Sequence, residues 1–302
     1  MKNLHLRFAL LLCLLFSFIG SANLYAQKEK KVHAIVKIPL EGKYKYMSLD
    51  QLEKECIKQA QFEAIKEAFG ELIQSKTNLM DASLNGEDYS DFFTETLISS
   101  TAEWLGDTKA PEVRQVMEDG KIVYIAEVWG RAREIEPASI LIDWTILAGE
   151  HEIRWESDKF KQEQNIYIKF KAPCDGYLAI YLLDSYQKQA NCLLPYKNNA
   201  EGIHRIQRDK EYILFDPKFD PVAFPYRYRM TTSCPKEMDK EMDQVVLLFS
   251  PNKFTKSNVA DGDRYHPQSA SIAEFEEWLT KLRRKHKELV VDRTKWITIF
   301  NQ

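Results

Sequence analysis

Ile166–Tyr196, IYIKFKAPCDGYLAIYLLDSYQKQANCLLPY, decides how the larger part of this chain folds. Ile166, Ile168 and Phe170 alternate with Tyr167, Lys169 and Lys171, the period of a half-buried strand. Pro173 and Asp175-Gly176 interrupt that period with turn chemistry. From Tyr177 to Leu183 every side chain is apolar or aromatic, so this strand is expected to lie centrally in its sheet with both faces covered. A polar turn is read from Asp184 to Asn191, and a third short strand from Cys192 to Tyr196. These are the strands of a β-rich domain.

Strand patterns continue on either side. Ile140 to Leu147 and His151 to Trp155 precede the stretch, and Glu211 to Phe215, Gln244 to Ser250 and Lys295 to Phe300 follow it. A helix is marked by the capping box Ser271/Glu274, by the face Ile272, Phe275, Trp278, Leu279 and Leu282, and by the basic end Arg283-Arg284-Lys285. The segment Glu134 to Ala138, which contains Pro137, is the expected hinge. The second domain is therefore read as residues 139–302.

Upstream lies a different pattern. Val32, Ala34, Val36 and Ile38 alternate as a strand. Ser48 and Gln51 form a capping box for a long helix whose stripe is Leu49, Leu52, Cys56, Ala60, Ala64, Ala68 and Leu72. Small residues at every fourth position let such a helix approach a sheet closely. A second helix is read over Tyr89 to Leu105, ending at Gly106. Val113 to Met117 and Lys121 to Ala132 flank Glu118-Asp119-Gly120, a strong hairpin signal. The order β-α-α-β-β makes residues 27–136 a small α+β domain. The fold class is α+β, with a sandwich-like second domain that carries a C-terminal helix and strand.

Residues 1–26 read as a secretory signal: Lys2 and Arg7, the apolar run Phe8 to Ile19, small residues at Gly20 to Ala22, and Leu24-Tyr25-Ala26 before Gln27. The apolar run is shorter than the roughly 20 residues a bilayer span wants. No later segment reads as transmembrane. Hydrophobic residues make up 44% and charged residues 29%, as globular domains require. A formal net charge of −3 gives no electrostatic reason to expect nucleic acid.

Two resemblances follow from these motifs. The strand, the helix CIKQAQFEAIKEAFGELI, the following QSKTNL and the hairpin KIVYIAEVWGRA resemble the N-terminal module of small bacterial envelope lipoproteins and flagellar assembly proteins. Asp175-Gly176-Tyr177-Leu178 with its strand, CLLPY, EYILF and VVLLFS resemble the bacterial domain-of-unknown-function family 4384. That resemblance implies an exported or envelope setting and no enzymatic activity of the module itself. The long segment Asp216 to Asp243 departs from the family.

Catalytic and metal motifs are not found. Cys56, Cys174, Cys192 and Cys234 follow the signal without any CxxC spacing. Cys56 reads as a small buried hydrophobe. Cys174 and Cys192 flank the central strand, too far apart for a bridge unless the chain bends back. His33, His151, His204, His266 and His286 are scattered, and HExxH is absent. Asp261-Gly262-Asp263 reads as a turn rather than a calcium loop. GxSxG, serine-lysine and phosphate-loop patterns are missing. Asp216, Asp220, Glu237 and Asp239 read as a solvated loop rather than paired catalytic carboxylates. No catalytic, cofactor-binding or metal residue is assigned, and no cofactor is expected.

Phe224, Tyr226, Arg227, Tyr228 and Arg229 alternate aromatics and arginines in an extended, proline-bounded run. They form the candidate binding surface, with Tyr196 and Tyr177 as neighbours; the competing reading is a strand with one aromatic face buried. The expected role is an exported, non-enzymatic protein of a Gram-negative envelope, periplasmic or outer-membrane-associated, that binds or scaffolds another envelope protein or a glycan. The alternative is a hydrolase acting on envelope polymers. N-terminal sequencing of the protein recovered from an exporting bacterium should begin at Gln27; an intact Met1 in the exported fraction would refute the signal.

Overall fold

The computed structural model describes residues 29–84, 91–136, 139–150, 153–196, 202–216, 218–219, 230–257 and 267–301. The chain divides into two compact units, Met1–Ile135 and Glu136–Gln302. The signal segment lies outside the described residues.

In the first unit β1 (Glu29–Pro39), β3 (Lys121–Glu134) and β2 (Ala102–Glu118) form an antiparallel sheet in the order β1-β3-β2. The β2–β3 turn places Asp119 at φ 51° and Gly120 at φ 75°. Two successive left-handed residues are what the twist of a two-residue hairpin requires. Helix α1 (Leu49–Leu84) opens on the expected box: Gln51 N–H donates to Ser48 Oγ at 3.3 Å and Ser48 N–H to Gln51 Oε1 at 3.0 Å. Cys56, Ala60 and Ala64 are buried, and the helix packs against all three strands. Its backbone kinks at Phe69 (φ −124°, ψ 21°).

Two expectations change here. The second helix, α2 (Asp91–Thr101), stops earlier than Leu105, because Glu103 and Trp104 pair with Arg133 and Ala132 of β3. A Cβ at Gly130 would lie 2.1 Å from the Trp104 ring, so the indole occupies the space a side chain would need. Sheet pairing overrides local helix propensity at this point. The second change is Leu49: it belongs to the apolar stripe by spacing but, as the first residue of α1, is 70% exposed.

The second unit is sheet upon sheet. β4 (Asp143–Glu150), β5 (Ile153–Glu156), β7 (Asn165–Lys171) and β11 (Tyr212–Leu214) form a four-stranded sheet in the order β11-β7-β4-β5. A seven-stranded sheet contains β6 (Lys159–Lys161), β8 (Gly176–Asp184), β9 (Gln189–Leu194), β10 (His204–Ile206), β12 (Lys240–Ser250), β13 (Gln268–Ser271) and β14 (Val290–Phe300). Its path is β13-β9-β8-β12-β14-β6, with β10 also paired to β8. The strand pairs are antiparallel except β6 with β14.

β8 is central, as its composition demands. Leu178 and Ile180 enter the core between the sheets with Ile146, Ile168, Phe170, Val245, Leu247, Phe249 and Ile297. Tyr181 points to the opposite face, where helix α3 (Ile272–Lys285) sets Phe275 at 4.8 Å and Trp278 at 5.6 Å between ring centroids. Ser271 and Glu274 complete both halves of the α3 capping box. Strand β9 begins at Gln189, inside the stretch read as a polar turn, since Gln189 pairs with Asp184 and Ala190 with Leu183.

Phe170 and Phe249 meet across the core at 5.9 Å. Replacing a fully buried phenylalanine by alanine removes its transfer energy and leaves a cavity. Phe170→Ala should cost about 3–5 kcal/mol of unfolding free energy, measured by urea titration; a change below about 1 kcal/mol would contradict this core.

Candidate functional site

One part of the second unit combines charge, aromatic faces and exposure. Arg154 on β5, Gly149 on β4 and Asn165 on β7 occupy one row of the four-stranded sheet. Their side chains share the face turned away from the core, because Trp144, Ile146 and Ala148 alternate to the other side. Tyr167, two residues beyond Asn165, lies on that outer face too. The Arg154 guanidinium sits 4.9 Å from the Tyr167 ring centroid and 5.3 Å from that of Phe219. It is ion-paired with Asp216, and both side chains are largely withdrawn from solvent.

Local chemistry explains the arrangement. A Cβ on Gly149 would fall 2.7 Å from the Ile153 carbonyl, 3.0 Å from the Tyr167 ring and 3.2 Å from Arg154 Cγ, so both the β4–β5 backbone and the stack require glycine. Asp216 Oδ1 accepts Lys218 N–H at 2.9 Å and the Asp216 carbonyl accepts Phe219 N–H at 3.1 Å. This tight turn brings Phe219 back over Arg154 while leaving it 58% exposed. Arg154 Nε and Asn165 Oδ1 are buried without a hydrogen-bond partner among the described residues. An unused donor and an unused acceptor beside an aromatic platform are suited to gripping a polar ligand.

The candidate residues read from sequence distribute unevenly. Phe224, Tyr226, Arg227, Tyr228 and Arg229 lie outside the described residues. Both flanks of their segment are placed, however. Asp216 to Phe219 covers Arg154, and on the other side Ile166 N–H donates to the Met230 carbonyl at 3.0 Å while Thr231 bridges Asn165. Tyr196 is buried; its hydroxyl accepts Phe215 N–H at 3.3 Å and its ring meets Phe215 edge-on. It therefore positions the residue before Asp216 and offers no surface of its own. Tyr177 is half-buried on β8, opposite Arg205 and Ser250. Arg154, Tyr167 and Phe219 were not singled out, because their distant positions give no sequence pattern.

A second constellation lies where β8 ends and β12 begins. Asp184, Glu241 and Asp243 each bring a carboxylate oxygen within 4.8 Å of the others. Ser185 N–H donates to Asp243 Oδ1 at 2.9 Å and Tyr186 N–H to Glu241 Oε1 at 3.2 Å. The carboxylates thus hold the β8–β9 turn. Burial, with the nearby Asp184 charge, raises Glu241 to about 7. Burial and the Glu241 charge raise Asp243 well above the ordinary carboxylate range. Spacing offers three oxygens to a cation, while proton sharing between buried carboxyls accounts for the same geometry. Glu241 and Asp243, two apart at the start of a strand that continues as the apolar run Val245–Phe249, were the available signal.

Several other reactive groups make local contacts. Cys56, Cys174, Cys192 and Cys234 are free thiols. Burial pushes both Cys56 and Cys192 up to about 11, away from nucleophilic thiolate. His33 meets Glu127 at 2.7 Å and stacks on Trp129, and His286 closes the α3 C-terminus through its N–H to the Leu282 carbonyl. His151, His266 and the Asp261–Asp263 turn lie outside the described residues. Among the described residues, no helix is long and apolar enough to cross a membrane.

No known protein family, characterised protein or solved structure matches this chain. The two resemblances drawn from sequence therefore rest on the motifs quoted for them.

The carboxylate shifts have a definite sign. Both folded-state values are raised, so the native protein holds these protons more tightly than the unfolded chain. That contribution is fully favourable below the ordinary carboxylate range near 4.5 and is lost as pH rises through about 7. Glu241→Gln, which keeps an acceptor for Tyr186 N–H, should leave stability at pH 4 nearly unchanged. At pH 8 it should add about 1–2 kcal/mol, compared by urea midpoints. A variant equally destabilised at both values would show that the charge is compensated.

Proposed function

We propose that this chain is an exported, non-enzymatic binding protein of a Gram-negative cell envelope. Its capture surface is the outer face of the β11-β7-β4-β5 sheet, and its partner is another envelope protein or a glycan. The observation that carries this reading is the Arg154 stack between Tyr167 and exposed Phe219, clamped by Asp216. A guanidinium already fixed between rings adds little ordering entropy on binding, and an exposed aromatic offers a face to a sugar or a peptide side chain. The chain on either side of the aromatic and arginine-rich segment reaches the same sheet, and Tyr226, Arg227 and Tyr228 are included in the proposed surface on their sequence alone. The signal read from residues 1–26 supports the compartment.

A hydrolase acting on envelope polymers is the second reading, favoured by one observation. Glu241, held near 7, has the proton affinity of a general acid at neutral pH. Its burial beneath the β8–β9 turn and its backbone hydrogen bond argue for a structural part instead.

Crosslinking in intact cells, followed by identification of co-purifying material, separates the two. Phe219→Ala, and alanine at Tyr226, Arg227 and Tyr228, should each reduce capture by about tenfold or more while the unfolding midpoint stays put. Undiminished capture in these variants, or cleavage of peptidoglycan or peptide by the purified protein that Glu241→Gln abolishes, would overturn the binding reading.

A further inference from the structure

Strand β5 ends the four-stranded sheet, and among the described residues no strand pairs with its outer edge. Ser157 N–H donates to the Ile146 carbonyl at 3.2 Å, which sets the phase of the ladder. Antiparallel alternation then aims the N–H and C=O groups of Ile153 and Trp155 at β4, and those of Arg154 and Glu156 away from it.

Side chains follow the same alternation. Trp155 pairs with Ala148, so Ile153 and Trp155 share the face on which Trp144, Ile146 and Ala148 enter the core. They are nevertheless 72% and 43% exposed, because β5 is the last strand of its sheet. Arg154 and Glu156 share the outer face. An open edge beside an exposed isoleucine and indole is a template for a further strand.

The residues of β5 select which strand. We propose that β5 pairs with β5 of a second copy of this chain, antiparallel about a two-fold axis at Trp155. That register sets Arg154 against the partner's Glu156, and Glu156 against the partner's Arg154. Both are hydrogen-bonded pairs, because these residues aim their backbone groups outward. Trp155 meets the partner's Trp155 as the non-hydrogen-bonded pair between them, where Cα atoms approach to about 4.5 Å. Unlike charges and facing aromatic rings are favourable cross-strand neighbours. Centred on Arg154 or on Glu156, the same ladder would set like charge on like. Arg154 keeps Asp216 as its partner within the chain. Beyond the ladder Asp158 and Lys159 are adjacent and opposite in sign, and Glu152 lies outside the described residues.

Pairing of this kind joins two four-stranded sheets into one and leaves both outer faces on the same side. A ladder from Arg154 to Glu156 is small beside the roughly 800 Å² that each partner buries in a stable interface, so the association is weak and depends on concentration. The inference goes beyond capture of an envelope component and does not rest on it. A monomer that still captures material would strike the dimer alone, and a dimer that captures nothing would strike the capture surface alone.

Sedimentation equilibrium of the full chain, as recovered from exporting cells, over a series reaching about 1 mM tests it. Wild type should show a monomer–dimer equilibrium. Glu156→Lys places cation beside cation in both charge pairs and should raise the dissociation constant by about tenfold. The charge-matched Glu67→Lys, exposed on the first unit, should leave it unchanged. Glu156→Pro removes an outward N–H while sparing the residues bonded to β4, and should weaken the dimer by tenfold or more. Urea midpoints check that each variant is folded. Register is read separately by cysteine crosslinking in a Cys174→Ser background, which removes the partly exposed free thiol. Oxidised Trp155→Cys should trap a covalent dimer, because its Cα meets its own copy within disulfide reach, whereas Ser157→Cys should not. A monomer at every concentration overturns the proposal. So does a dimer that Glu156→Lys and Glu156→Pro leave intact, or crosslinking of Ser157→Cys as readily as Trp155→Cys.

Discussion

Burial of β8 and β12 on both faces is the constraint on which the second unit depends. A strand such as Tyr177–Leu183 has no polar side to turn toward water, so its sheet must be covered above and below. The four-stranded sheet supplies one cover through Ile146, Ile168 and Phe170, and α3 supplies the other through Phe275 and Leu279. Two apolar layers against one sheet also fix the register: a slip by one residue would exchange Tyr181, which belongs under Phe275 and Trp278, with Ile180, which belongs between the sheets.

The same constraint settles where polar groups can go. Arg293 of β14 is nearly enclosed but is held by Glu276 of α3 and by Gln244 of β12, so the charge that enters the helix layer enters it paired. Asp184, Glu241 and Asp243 gather at the strand ends, where backbone N–H groups of the β8–β9 turn meet them. On the outer face of the four-stranded sheet Arg154, buried Tyr167 and exposed Phe219 come together. In the first unit one sheet face lies beneath α1.

Much of this was legible in the chain. Alternation located β1 and β7, the unbroken apolar run located β8 as central, Asp119-Gly120 located the hairpin, and Ser48/Gln51 and Ser271/Glu274 located two helix starts. Each is a local rule in which a side chain acts within a few residues of itself. Failures came where a distant partner decided. Residues 102–105 look helical in isolation but pair with β3, with Trp104 filling the space above Gly130. Leu49 has the spacing of a core residue but is exposed at the first position of α1. Tyr196 reads as a surface aromatic, yet it is buried against Phe215.

By itself the sequence determined the α+β class and the type of the longer elements, because hydrophobic period and cap chemistry act over a few residues; β6, β10, β13 and the first half of β2 carried no such signal. Only the tertiary structure decided which side chains meet. Arg154, Tyr167 and Phe219 come from three separate segments, and Asp184 joins Glu241 and Asp243 across some sixty positions only because β8 and β12 pair in one register. Contacts of that kind are set by strand pairing and layer packing, which no local pattern encodes.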